Sequence, residues 1–318
     1  MLLVYLFVVI VDPWGSLPLS PPLPRVPIST NARYAFPALA RAPRFDAAIV
    51  GTSTSRLLRP DTLDPLLHAR FVNLSMNSAT AWEQARLLDV FSRAHPHAKA
   101  VIIGLDANWC VPTPAYEHTS RPFPEWMYRP SRWSGYRQMA NLYAVQEAAN
   151  QFAVMLGLKR RRYGMDGYTN FLPDDRLYDP VRVAALFRQW GPASDAPDTG
   201  GAWQFPVQAM LVHALAALPP DTRKILFFVP EEIHQQGKPG SRVQAQWAAC
   251  KKSIAGIATG APGTTVIDFM IQSPITQDRN HYWDPLHYRI TIADTIMRDM
   301  AAAEAGLPAA NKEYRLLP

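Results

Sequence analysis

Three residues far apart in the chain have the types needed for nucleophilic acyl chemistry: Ser53 near the front, and Asp284 and His287, three apart, near the back. A serine hydroxyl becomes a nucleophile when a base takes its proton, and that base needs a carboxylate to fix its tautomer and stabilise the imidazolium. Ser53 stands in Gly51-Thr52-Ser53-Thr54-Ser55-Arg56, where a glycine permits a tight turn directly after an apolar run. Asp284 and His287 stand in Asn280-His281-Tyr282-Trp283-Asp284-Pro285-Leu286-His287-Tyr288-Arg289, ahead of a helical pattern. Each piece alone has an ordinary explanation. Ser53 or Ser55 can cap the helix that follows, and an aspartate before proline commonly starts one. Their joint occurrence at opposite ends of one α/β pattern points instead to a Ser-His-Asp triad, with Ser53 as nucleophile and Ser55 as the cap.

Elements must hold these residues together. The chain has 318 residues, 48% hydrophobic and 18% charged, enough to bury a sizeable core and too apolar for a disordered chain. Near-continuous apolar runs at Ala47 to Val50, Phe71 to Leu74, Ala100 to Leu105, Ile225 to Val229 and Thr265 to Phe269 read as strands covered on both faces. Helical periodicity lies between and after them, at Ala81 to Ala94, Leu142 to Leu156, Val207 to Leu218, Val243 to Ile257 and Thr291 to Ala305. The alternation predicts an α/β fold, a three-layer open parallel sheet. Such sheets carry reactive groups in the crevice beyond the carboxyl ends of the strands, which is where Ser53 and the Asp284/His287 loop fall. From 111 to about 205 the pattern breaks into sequence rich in proline, tyrosine and tryptophan, including Trp126, Trp133, Trp190 and Trp203. A loop-rich insertion of that length reads as a lid or binding surface. The domain therefore spans 46–318, preceded by residues 1–45.

Those first residues open on the apolar run Leu2 to Val11, followed by Pro18, Pro21, Pro22, Pro24 and Pro27. The run is too short to span a bilayer alone and lacks the flanks of a secretory signal. Between a buried first element and the end of a membrane anchor followed by an extended tether, the prolines favour the anchor. A net charge of +6 is scattered apart from Lys159-Arg160-Arg161-Arg162, which reads as a solvated face. It suits anionic lipid or an acidic polymer better than nucleic acid, which is not expected as a partner. Cys110 and Cys250 have no CxxC spacing and read as two ordinary buried thiols rather than a bridge.

At the two chemical segments the sequence resembles the SGNH (GDSL-like) hydrolase superfamily, closest to the cell-envelope branch of polysaccharide O-acyl esterases and transferases. Val50-Gly51-Thr52-Ser53 is similar to the first block of that family, and Tyr282-Trp283-Asp284-Pro285-Leu286-His287-Tyr288-Arg289 to its last. The resemblance runs in order and spacing from about Ala47 to Met300, and is weakest in the insertion. It implies a flavodoxin-like SGNH sheet, with Ser53 as nucleophile, His287 as base and Asp284 as its orienting carboxylate. It also implies an ester substrate such as an acylated carbohydrate, no cofactor or metal, and an extracytoplasmic, membrane-anchored setting in the cell envelope.

The middle blocks depart from the family. Its oxyanion hole joins the serine N–H to a glycine after the second strand and an asparagine after the third. Here Ser78 stands at the glycine and Asp106 at the asparagine, in Asn73-Leu74-Ser75-Met76-Asn77-Ser78 and Gly104-Leu105-Asp106-Ala107-Asn108-Trp109. An ionised carboxylate only accepts and would repel an oxyanion. The expected hole therefore uses the N–H groups of Ser53 and Ser78, either with Asn108 as a further donor or with backbone donors and Asn77. Arg56, Asn77 and Asp106 are accessory candidates, Asp106 in a structural role at the strand end. The rival reading is an inactive SGNH-fold envelope protein that binds polysaccharide or a partner.

Weaker patterns are set aside. His281, Asp284 and His287, with His95 and His97 added, lack a matching carboxylate cluster elsewhere for a metal, and His95 and His97 are expected at a helix end facing solvent. Glu231 and Glu232 beside His234 read as an exposed loop rather than a glycosidase pair. No GxGxxG or GxxxxGK[ST] follows a strand.

Overall fold

All five apolar runs become strands in the computed structural model, which describes residues 1–113 and 119–318. They are β1 (Ala47–Val50), β2 (Phe71–Asn73), β3 (Ala100–Leu105), β4 (Arg223–Phe228) and β5 (Thr264–Asp268). The sheet order is β2-β1-β3-β4-β5, all parallel, with a sixth strand, β6 (Arg315–Leu317), antiparallel on the edge of β5. That order reverses direction at β1, and the crevice of a doubly wound sheet opens beside such a strand.

Helices cover both faces. Alternate residues of each strand enter different cores: Ala48 and Val50 with Val101, Ile103, Leu226 and Phe228 on one side, Ala47 and Ile49 with Ile102, Ile225 and Phe227 on the other. The first core is closed by α1 (Leu2–Val11), α2 (Ala32–Leu39), α4 (Ala81–Ala94), α7 (Leu142–Met155), α9 (Gln208–Ala216) and α10 (Arg242–Thr259). The second is closed by α3 (Pro60–Leu67), α8 (Pro180–Trp190) and α12 (Ile290–Glu304). Short turns α5 (Glu125–Tyr128), α6 (Gly135–Gln138) and α11 (Pro274–Gln277) lie between. Thr80 caps α4 with a capping box to Glu83, which explains why this helix starts where its apolar face does.

The start of the chain differs from the tether reading. α1 packs along α7 with Val8 and Val11 buried, and Trp14, Leu17 and Val26 are buried in the proline-rich stretch behind it. Arg25 donates to the carbonyl of Val11 at 2.8 Å, folding that stretch back on the helix. The prolines therefore run across the protein, held by buried side chains between them. Among the described residues no helix is long and apolar enough to cross a membrane.

Cys110 and Cys250 are joined in a disulfide, with Cα atoms 5.5 Å apart, against the expectation of two free thiols. The bridge ties the segment after β3 to α10, a pairing set by tertiary approach across 140 residues that spacing does not encode. His95 also differs: it is buried, its ring 4.4 Å from that of Phe91 and its Nε2 2.9 Å from the carbonyl of Ala40. His97 is exposed.

Candidate active site

Ser53 lies in the turn that leaves β1. Two glycines allow this turn: a Cβ on Gly51 or on Gly104 of neighbouring β3 would collide with the Ser55 side chain. Ser55 is thus wedged beneath the turn, its Oγ buried without a hydrogen-bond partner, and it does not serve as the helix cap. Buried Asn73, at the end of β2, holds the turn from the other side. Its Nδ2 donates to the carbonyls of Ser55 (3.3 Å), Arg56 (3.3 Å) and Leu58 (2.8 Å).

The loop after β5 delivers the other two residues. Tyr282 and Tyr288 bridge across it, Trp283 N–H donates to the His287 carbonyl at 2.8 Å, and Tyr288 Oη donates to the Thr54 carbonyl at 2.7 Å. The last segment is thereby fastened onto the first. His287 Nε2 lies 2.8 Å from Ser53 Oγ, and its Nδ1 lies 2.7 Å from Asp284 Oδ2. Asp284 Oδ1 accepts the N–H groups of Leu286 and His287, each at 2.9 Å. Burial pushes the Asp284 carboxyl up. The hydrogen bond and charge of His287 and the two backbone donors outweigh that, so it sits below its ordinary value and stays ionised. The three side chains are partly exposed, so solvent or a substrate reaches them. Phe171, from the insertion, sets its ring edge-on to the imidazole at 5.6 Å between centroids.

The oxyanion candidates divide. Ser78 adopts φ 55°, the left-handed region that favours glycine, so the serine departs in side chain but keeps the backbone conformation a glycine would take. The N–H groups of Ser53 and Ser78 donate to nothing among the described residues. Asn108 is placed otherwise than expected: its N–H and its Nδ2 both turn back onto Asp106 Oδ1, at 2.9 and 3.0 Å. The Oδ1 bond from the Asn108 N–H makes Asp106 the N-cap of the turn after β3, and its Oδ2 accepts the hydroxyl of Thr52, the neighbour of Ser53, at 2.5 Å. Burial raises the Asp106 carboxyl, with the hydrogen bonds from Thr52 and Asn108 opposing.

Glu231 and Glu232 are buried, not exposed. Glu232 accepts His234 Nδ1 at 2.7 Å and Arg279 Nε at 3.0 Å, a structural knot on the loop after β4. Glu231 is pushed up to about 8 by burial and by the charge of Asp106. His281 bonds the Ile275 carbonyl at 3.1 Å, away from Ser53. Among the described residues no group of three or more His, Cys, Asp or Glu side chains is arranged to hold a metal ion.

Arg56 and Asn77 meet: Arg56 Nη1 donates to Asn77 Oδ1 at 2.8 Å. The Asn77 and Ser78 carbonyls accept from Arg33 of α2, whose guanidinium is fully buried against Glu83. Arg33 and Phe171 stand in no chemical motif, and Thr52 and Asn73, though inside the two quoted segments, carry no role that the sequence alone reveals. Asn73, at the end of an apolar strand run, was the one legible signal. Of the insertion tryptophans, Trp126 is buried, Trp133 and Trp190 are exposed, and Trp203 packs under Arg242 at 4.8 Å. A cavity of about 510 Å³ between Trp247, Lys251, Met270 and Arg315 includes none of the triad. No family model and no curated protein matches the sequence.

Proposed function

We propose that this chain is a serine-dependent ester hydrolase or O-acyltransferase of the SGNH (GDSL-like) kind, acting on an acylated carbohydrate or envelope polymer. The observation that carries the reading is the unbroken line of hydrogen bonds from Ser53 Oγ through His287 to Asp284. His287 Nε2 takes the Ser53 proton as Oγ attacks the ester carbonyl. The tetrahedral oxyanion is met by the N–H groups of Ser53 and Ser78. Collapse expels the alcohol, which receives the proton from His287, and leaves the acyl group on Ser53. Water or a sugar hydroxyl then gives its proton to His287 and takes the acyl group, regenerating Ser53.

An extracytoplasmic, envelope setting is part of the proposal, and the Cys110–Cys250 disulfide supports it because such bridges persist in oxidising compartments. Exposed Leu2, Leu3, Leu6 and Ile10 on α1, with Leu156 and Leu158 after α7, support membrane association through the N-terminal helix. The competing reading is a non-catalytic polysaccharide- or partner-binding protein on the same fold, favoured by the turning of Asn108 onto Asp106. A fluorophosphonate probe with mapping of the labelled peptide separates the two. Labelling is expected on Ser53 in the wild type and absent in Ser53→Ala and His287→Ala. No labelling of the wild type, or labelling that survives Ser53→Ala, would sink the enzyme reading.

A further inference from the structure

Arginines gather on a cavity beside the Ser78 turn with no carboxylate among the described residues that line it. The cavity, about 390 Å³, is lined by Arg56, Arg121, Arg162, Asn77, Asn31 and Thr30. Arg56 is only 6% exposed, and its Nε is buried without a hydrogen-bond partner. Its guanidinium lies over the rings of Tyr163 (5.0 Å) and Phe171 (5.7 Å) and donates to Asn77 Oδ1. Arg121 Nη1 reaches the Asn77 carbonyl at 3.3 Å. Among the described residues none of the three arginines forms an ion pair, whereas other arginines around the site do: Arg33 with Glu83, Arg59 with Asp294, Arg289 with Asp175. A solvated basic face accounts for Lys159, Arg160 and Arg161, which are exposed, but not for Arg56. Holding a buried guanidinium near two like charges is unfavourable, and an anion that bridges them relieves both costs.

The cavity adjoins the ester site through covalent and packing links. Arg56 is three residues past Ser53, Asn77 precedes Ser78, and Phe171 touches both Arg56 and the His287 ring. We propose that this cavity is an anion subsite that selects esters whose sugar carries a carboxylate or phosphate close to the acylated hydroxyl. The inference rests on the reading of Ser53 as nucleophile and names the substrate class of that same site. The planar fork of arginine matches either oxyanion in bidentate fashion.

The test compares release of acetate from three monoacetylated methyl glycosides: of glucose, of glucuronic acid and of glucose 6-phosphate. One anionic ester is expected to exceed the neutral one in kcat/KM by about tenfold or more. Whichever anion is favoured identifies a uronate or a phosphate source. In Arg121→Gln/Arg162→Gln, both exposed positions, the ratio of anionic to neutral kcat/KM collapses toward one, while Arg121→Lys/Arg162→Lys keeps most of it. Equal kcat/KM for all three esters in the wild type, or a ratio unmoved by the Gln pair, would overturn the subsite. If Ser53 takes no fluorophosphonate and no ester turns over, the nucleophile reading has failed. Calorimetric binding of the unacetylated glucuronide, the 6-phosphate and the neutral glycoside then decides the cavity alone. Tighter binding of an anion upholds it, and equal or absent binding refutes it.

Discussion

Replacing Asp284 by Asn tests the triad at the point where geometry makes the sharpest demand. In the native chain both Asp284 oxygens only accept, Oδ1 from two backbone N–H groups and Oδ2 from His287 Nδ1. Asparagine keeps the first oxygen but places an NH₂ against Nδ1. Two donors cannot face each other, so the imidazole takes the other tautomer, with its proton on Nε2, pointing at Ser53 Oγ. The general base is then absent while the shape is unchanged. The expected loss in kcat is about 10⁴-fold, on the order of 5.5 kcal/mol of transition-state stabilisation. Fold stability at neutral pH loses only what the ionised carboxylate supplies there. The Asp284 carboxyl lies below its unfolded value, so its stabilisation is present above the ordinary carboxyl range and is lost as pH falls through the lowered folded value. Acetate release and the rate of fluorophosphonate labelling are measured beside a thermal melt at pH 7. Asp284→Asn retaining activity within tenfold of the wild type while folded would refute the triad reasoning.

Three other perturbations follow from the same structure. Ser78→Gly relieves left-handed strain of about 1–2 kcal/mol against an unfolded-state cost of about 0.4–1 kcal/mol, so a modest rise in melting temperature is expected, and a fall would contradict it. Cys250→Ser opens a loop of 140 residues and should lower stability by up to about 5 kcal/mol in urea titration; a midpoint unmoved by the substitution or by reductant speaks against the bridge. Glu231, held near 8, binds its proton more tightly folded than unfolded, so its burial costs nothing below the ordinary carboxyl value and progressively more as pH rises toward 8, on the order of 5 kcal/mol at most. Glu231→Gln should therefore raise the melting temperature at pH 9 and hardly at pH 4, and an equal shift at both would remove the assignment.

What was legible in the sequence followed from local pattern. β1 to β5 are runs buried on both faces, so composition alone marks them; Ser53 follows β1 directly, and Asp284 and His287 lie in the segment between β5 and α12. β6 is three residues long and gains its place from an ion pair of Arg315 with Asp268 as well as from pairing with β5, neither of which a window of apolar residues registers. The packing of the proline-rich stretch has no local signature, because Trp14, Leu17 and Val26 are isolated apolar residues among prolines, too sparse to show periodicity yet enough to anchor the chain. Glu231 and Glu232 share a loop composition with exposed segments, and the bonds of Glu232 to Arg279 and Pro285 come from a loop about 50 residues further on. Arg121 and Arg162 lie in the insertion, and their approach to Arg56 is a product of tertiary folding.

Sheet order also resolves the charge problem posed by Asp106. β1 lies between β2 and β3, so the turn bearing Ser53 has the Ser78 segment on one flank and Asp106, with Glu231 beyond it, on the other. The acidic flank is muted. Asp106 is engaged by Thr52 and Asn108, and burial pushes both carboxyls up, that of Glu231 to about 8. The other flank is basic, with Arg33, Arg56 and Arg121 all bonded to Asn77 or Ser78. Under the proposed ester chemistry, an oxyanion forming on the Ser78 side would meet the N–H groups of Ser53 and Ser78, which donate to nothing among the described residues, with Arg56 and Arg121 close by and Arg33 already neutralised by Glu83.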